Sequence, residues 1–325
     1  MASITYAEAI AQALRHALEL DERVVVFGNF FGGITEHQRH FNALGSDYPD
    51  RVLVPPWSEM GNCGLGTGAA SVGMRPVVDL VTGSFVFQAY PQVVNEAANI
   101  EYMGGGQTKV PVVFHMLTGI REAGAAQHSH TPQAMLWNTP GLMLSLPATP
   151  ADAYGLLMHA LLECEQPTAY FSHPVLFDET EEIDDWEAAR VPPGTARITR
   201  DGADVTIVAT SIMVSRAQRA AATLAERSID CEIVDLRTLV PYDGDTVLAS
   251  VARTGRVVVA DECHRSAGVA AEIIARITER AADRLRAAPR RVCTPDVPVP
   301  FSQPLERAVI PDEDKIVQAV LEVTR

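Results

Sequence analysis

Three short stretches of this 325-residue chain carry residue types able to do chemistry. The first, Pro55-Pro56-Trp57-Ser58-Glu59-Met60-Gly61, sets a carboxylate between a rigid turn and a Gly-rich helix, just past a short strand. Open α/β sheets bind ligands at that end of their strands. The helix macrodipole also favours an exposed glutamate at any helix start, so Glu59 alone decides nothing. In the second stretch, Phe85, Phe87, Gln88 and Tyr90 follow the turn Thr82-Gly83-Ser84. Phe85 there is either a stacking platform for a flat ring or a core aromatic. The third stretch is Ala123-Gly124-Ala125-Ala126-Gln127-His128-Ser129-His130-Thr131-Pro132. Two histidines in a small-residue loop without apolar periodicity can move protons, contact a ligand or simply face water. Their His-x-His spacing also suits a metal pair, but no Cys or carboxylate accompanies it locally.

The elements that must position these stretches alternate between helix and strand. Thr5-x-x-Glu8 is a capping box, and Ile10, Leu14, Ala17 and Leu18 follow at helical spacing. Strands are predicted at 24–28, 52–54, 76–81, 110–114 and 168–171, with helices from Glu59, over 85–103 and over 151–165. An acidic, Pro-containing stretch, 178–193, breaks this rhythm and reads as a linker. Beyond it, strands are predicted at 205–209, 231–234, 257–260 and 291–293, and helices at 214–227, 243–251, 267–284 and 312–323. Such alternation gives an α/β fold of two domains, each a mostly parallel sheet flanked by helices. The expected domains are 1–185 and 194–325.

Composition narrows the function. Lys and Arg number 26 against 41 Asp and Glu, a net charge of −15 that opposes binding to nucleic acid or anionic membranes. No apolar run reaches the roughly 18 residues of a membrane span, and the N-terminus carries no secretory pattern. Five scattered cysteines, none in a Cys-x-x-Cys pair, fit a reducing, cytoplasmic setting and no disulfide framework. The Gly-x-Gly-x-x-Gly turn, the phosphate-binding Gly-Lys-Ser/Thr loop and the Gly-x-Ser-x-Gly elbow are all missing from the sequence.

An ordered set of segments carries a family resemblance: Ile4-Thr5-Tyr6-Ala7-Glu8-Ala9, Ser58-Glu59-Met60-Gly61, Gln92-Val93-Val94-Asn95-Glu96-Ala97-Ala98, Tyr102-Met103-Gly104-Gly105-Gly106-Gln107, Gln127-His128-Ser129 and Asp235-Leu236-Arg237-Thr238-Leu239-Val240-Pro241. Together they resemble the beta subunit of the thiamine diphosphate-dependent decarboxylating component of 2-oxo acid dehydrogenases. The resemblance spans nearly the whole chain. It implies a pyrimidine-binding domain followed by a transketolase C-terminal-like domain. Glu59 matches the glutamate that hydrogen-bonds the aminopyrimidine ring, so that the ring's imino nitrogen can remove the thiazolium proton. A carboxyl group donating in this way must hold a proton, which shielding from water favours. Phe85 matches the aromatic that stacks on the pyrimidine, and Gln88, Trp57 and Asn29 match positions lining the cofactor. His128 matches the active-site histidine that handles protons or orients the intermediate, with His130 beside it toward the substrate.

The resemblance also implies partners. The family holds Mg²⁺ and the diphosphate through a Gly-Asp-Gly…Asn motif on an alpha subunit, and this chain has no Gly-Asp-Gly. An alpha2beta2 heterotetramer is therefore expected, delivering its acyl group to a lipoyl-bearing acyltransferase or carrier protein. Several positions depart from the family. Asn29 and Phe30 stand where an acidic pair is usual, and Trp57 where a smaller aliphatic residue is common. Gly83-Ser84 replaces bulkier residues, and His130 a glutamine. Cys164 replaces an aspartate near the structural potassium site, which disfavours a hard cation. These changes keep open a second activity of the same architecture, transfer of a two-carbon ketol unit from a sugar phosphate to a lipoyl or acyl carrier protein.

Overall fold

The computed structural model describes residues 3–28, 37–122 and 124–325. The chain begins with β1 (Ser3–Thr5), α1 (Tyr6–Leu20), β2 (Val24–Phe27), α2 (Gln38–Asp47), β3 (Val52–Leu53), α3 (Glu59–Ser71), β4 (Arg75–Thr82), α4 (Ala98–Met103) and β5 (Val113–Leu117). It continues through α5 (Ala125–His128), α6 (Gln133–Trp137), β6 (Met143–Ser145), α7 (Pro150–Leu162), β7 (Thr168–Ser172) and β8 (Thr180–Glu182). The rest forms β9 (Arg197–Arg200), β10 (Val205–Ala209), α8 (Ile212–Ala225), β11 (Cys231–Asp235), β12 (Thr238–Val240), α9 (Gly244–Thr254), β13 (Val257–His264), α10 (Val269–Ala281), β14 (Arg290–Thr294), α11 (Gln303–Val309) and α12 (Glu313–Thr324).

Two compact units result, in keeping with the expected α/β class. One comprises Met1–Thr118 and Met135–Pro193, the other Gly119–Ala134 and Gly194–Arg325. The histidine stretch thus groups with the second unit, although it lies within the first unit's span of sequence.

In the first unit the strands run β6-β7-β5-β4-β2-β3, every pairing parallel. Strands β2, β4, β5 and β7 are buried at every position, as a parallel sheet covered on both faces requires. The capping box at Thr5 forms in full and starts α1, whose apolar stripe is Ile10, Leu14, Ala17 and Leu18.

Three local expectations differ. The strand expected at 110–114 begins only at Val113, because Pro111 has no N–H to donate to a ladder. The helix expected over 85–103 is broken into a 3-10 turn at Gly83–Phe87, a π-helical segment at Pro91–Ala97 and α4, since Pro91 cannot extend the preceding turn. The stretch expected as a linker is folded at its start. Here β8 pairs antiparallel with β1, Glu181 accepts from the Ala151 N–H, and the Trp186 ring lies 4.3 Å from that of Tyr154.

The second unit carries the order β14-β13-β10-β11-β9, parallel except for β9 at the edge. Its helices α8 and α10 are amphipathic, burying Ile212, Ala217, Ala220 and Leu224 on one and Ile273 and Ile277 on the other. Among the described residues no helix is long and apolar enough to cross a membrane.

Candidate active site

Glu59 is the first residue of α3. Ser58 caps that helix, its hydroxyl accepting from the Gly61 N–H at 3.1 Å. Helix α3 approaches β4 closely because Gly66 has no Cβ, which would overlap the Val78 side chain. Glu59 therefore stands at the carboxyl edge of the sheet. It is half-exposed, so this chain alone does not supply the shielding expected for it. Its charge and burial together push the Cys63 thiol well up, burial being the larger cause, and that thiol is inert.

Phe85 sits in the 3-10 turn that follows β4, at the same edge of the sheet, and is half-buried. Trp57 is 70% exposed and Gln88 is exposed. Asn29 lies outside the described residues. A carboxyl group and an aromatic face at one sheet edge, both reachable, fit an uncharged aminopyrimidine ring.

What aims Phe85 was not read from the sequence. Asp79 on β4, His115 on β5 and Ser172 on β7 form a buried chain across three adjacent strands. His115 Nδ1 lies 3.1 Å from Asp79 Oδ1, and His115 Nε2 lies 2.9 Å from Ser172 Oγ. Asp79 Oδ1 also accepts from the Val81 N–H at 3.1 Å. Val81 has φ of 61°, and the β4–β5 register shifts between Asp79 and Thr82. One extra residue in β4 reverses which face each later side chain takes. Asp79 thus fixes the bulge that sets the direction of the turn carrying Phe85. Gly28 makes room for it, since a Cβ there would lie 2.5 Å from the Asp79 Cβ. The signal in sequence was a polar residue inside an apolar run at Asp79 and His115 and at the end of one at Ser172. The geometry is that of a Ser-His-Asp constellation, but all three side chains are buried and none can attack a substrate.

His128 ends α5 and is exposed, while His130 is half-buried. Burial, and secondarily the charge of His264, lower the His130 pKa. This loop is tied to the end of β13. Glu262 Oε2 accepts from the Ile120 N–H at 3.2 Å, and Glu262 Oε1 pairs with the buried Arg216 at 2.9 Å. Cys263 Sγ donates to the Thr131 carbonyl at 3.5 Å. Ile120 itself packs on Val299 and Val309.

At the position where the resemblance implies potassium, the carbonyl oxygens of Leu161 and Cys164 accept from the Arg75 guanidinium, the latter at 2.6 Å. Cys164 is buried. A guanidinium already occupies these acceptors, and the thiol adds no hard donor, so the residues present do not fit potassium. Among the described residues no group of three or more His, Cys, Asp or Glu is placed to hold a metal ion. A cavity of about 640 Å³ beside Cys293 and one of about 600 Å³ beside Tyr242 include none of the expected cofactor or substrate residues.

Comparison with known proteins identifies the two domains. Residues 2–174 match the transketolase pyrimidine-binding domain and residues 194–316 the transketolase C-terminal domain. The chain is 36% identical over 324 residues to the pyruvate dehydrogenase E1 component subunit beta of Rickettsia felis, covering 98% of each protein. It is 38% identical over 321 residues to the acetoin:2,6-dichlorophenolindophenol oxidoreductase subunit beta of Cupriavidus necator, covering 96% of this chain and 94% of that one. A solved split-gene transketolase, described as an inactive beta4 tetramer, shares the fold with a TM-score of 0.78 at 24% identity, covering 99% of this chain and 98% of its own. With both domains in that order and relatives matched end to end, the chain belongs to the transketolase-like family of thiamine diphosphate-dependent 2-oxo acid dehydrogenase beta subunits.

Proposed function

We propose that this chain works with an alpha subunit, as an alpha2beta2 heterotetramer, to decarboxylate a 2-oxo acid and pass the acyl group to a lipoyl-bearing carrier. The observation that carries this reading is the placing of Glu59 and Phe85 at one sheet edge, half-exposed, with exposed apolar side chains on either side of Glu59 in the sequence. Leu53 is 41% exposed, Val54 67% and Met60 55%, beside Trp57. A cluster of this kind around a polar centre marks a face that a partner covers. The alpha subunit would bring Mg²⁺ and the diphosphate site, and its docking would dry Glu59.

Thiamine diphosphate, when bound, supplies a carbon acid that becomes the nucleophile toward the 2-oxo group. Within this chain, Glu59 holds a proton toward the aminopyrimidine nitrogen, and Phe85 offers its face to the ring. Gln88, Trp57 and Asn29 line the cofactor. His128 exchanges a proton at the substrate oxygen, with His130 beside it. The acidity of the chain suits this division, since the phosphates fall to the partner.

The test is cofactor binding by calorimetry with Mg²⁺ present, first on this chain alone and then on the chain co-expressed with its alpha subunit. Weak binding alone and tight binding together are expected. Tight Mg²⁺-dependent binding by the isolated chain would overturn the heteromer.

A further inference from the structure

Arg121 lies in the segment that carries His128 and His130, directly after Ile120, whose N–H is held by Glu262. It is half-buried, and burial lowers its pKa. Among the described residues its guanidinium meets no carboxylate within salt-bridge distance. Glu122, the next residue, is exposed and makes no ion pair with it among the described residues, and three acids at β13 and beyond are engaged elsewhere. Glu262 pairs with Arg216, Asp261 accepts from the Cys263 N–H at 2.7 Å, and Asp296 holds Ser266 at 2.6 Å. The charge of His264 reaches His130, and His264 Nδ1 is 2.8 Å from the Pro295 carbonyl.

A half-buried guanidinium without a counter-charge is costly in a folded protein. It is the more notable in a chain with 41 acidic residues against 26 basic ones. Gly124 leaves room for it, because a Cβ there would lie 3.2 Å from Arg121 Cγ. The planar fork of Arg matches carboxylate and phosphate oxygens two at a time.

We propose that Arg121 is a specificity residue that binds a second anionic group, at the end of the substrate remote from the reacting carbonyl. This rests on the thiamine reading above and names its substrate class: a donor with an anionic tail. The shared chemistry is a terminal oxyanion, carried either by a dicarboxylic 2-oxo acid or by a ketose phosphate.

The experiment uses the assembled enzyme with thiamine diphosphate and Mg²⁺. It compares kcat/KM within two pairs, 2-oxoglutarate against 2-oxovalerate and xylulose 5-phosphate against xylulose. In one pair the anionic member is expected to lead by about 10–100-fold, the scale of a hydrogen bond to a charged group. The pair in which it leads identifies the source of the anion. Arg121→Gln should remove that lead chiefly through KM, leaving the neutral member within about threefold, and Arg121→Lys should restore part of it. Preference for the neutral member in both pairs overturns the proposal, and this arm needs only the unaltered chain. Equal loss on both members in Arg121→Gln also overturns it. Absence of thiamine-dependent turnover on every 2-oxo acid and ketose tried would overturn the underlying reading as well, and so is told apart from failure of the Arg121 assignment alone.

Discussion

At the end of β4 the carboxylate of Asp79 meets an imidazole and turns the chain toward Phe85. At the end of β13 the carboxylate of Glu262 meets a guanidinium and takes the N–H at the root of the histidine loop. Both sites hang from a carboxylate, but the two anchors differ in reach. Asp79, His115 and Ser172 lie on neighbouring strands, so the placement of Phe85 is as stiff as the sheet. Glu262 holds a segment that arrives from far earlier in the chain, and that segment's position depends on a few discrete bonds. The placement of Phe85 is thus built into strand register, whereas the histidines rest on an ion pair that one substitution can undo.

Glu59→Gln gives the largest expected effect and asks whether the first edge is the reacting one. The amide keeps the shape but cannot supply the carboxyl proton. Turnover of the assembled enzyme should fall by about 10²–10⁴ with an unchanged melting temperature. Near-normal rates would remove Glu59, and with it the thiamine chemistry, from this chain.

The contrast between the two anchors is sharpened by Glu262→Gln and Asp79→Ala. Glu262→Gln leaves Arg216 buried without its counter-charge and should destabilise by about 3–5 kcal/mol in chemical denaturation. Asp79→Ala removes an acceptor from two donors and should cost about 1–3 kcal/mol. Limited proteolysis should find new cleavage near 119–134 only in the Glu262 variant. Cleavage there in both variants would show that the two anchors are not independent.

A last effect concerns pH. Burial pushes Asp261 up to about 6 from the ordinary 3.8, against the opposing hydrogen bond from Cys263. An acid whose folded pKa is raised favours folding when protonated. Its contribution is therefore full below about pH 4 and is lost as pH rises through 6. Asp261→Asn should flatten that decline and gain about 1–3 kcal/mol at pH 8. A melting temperature that is equally pH-dependent in both proteins would refute the assignment.

Much of the frame was legible in the sequence because its signals are local. Thr5 and Glu8 announce α1, Ser58 and Glu59 announce α3, and β-branched runs mark β2, β4 and β10. The shift of β5 past Pro111 and the broken helix at Pro91 follow from the same residue rules applied more strictly. Long-range structure was not legible. Nothing near Asp79 in sequence points to His115 or Ser172, and nothing near Ile120 points to Glu262. The exposure of Glu59 was equally hidden, because it depends on which distant residues of the chain pack over the start of α3.

The grouping of Gly119–Ala134 with Gly194–Arg325 has a consequence for how the chain is made. During synthesis the histidine segment emerges well before the strands that secure it. At ordinary elongation rates it waits on the order of ten seconds for residues 194–325. The segment's contacts with Glu262, Cys263, Val299 and Val309 can form only once those residues are made. No single cut separates the two units into contiguous fragments. A designer seeking a minimal pyrimidine-binding module would have to bridge Thr118 to Met135 with a new loop instead of truncating.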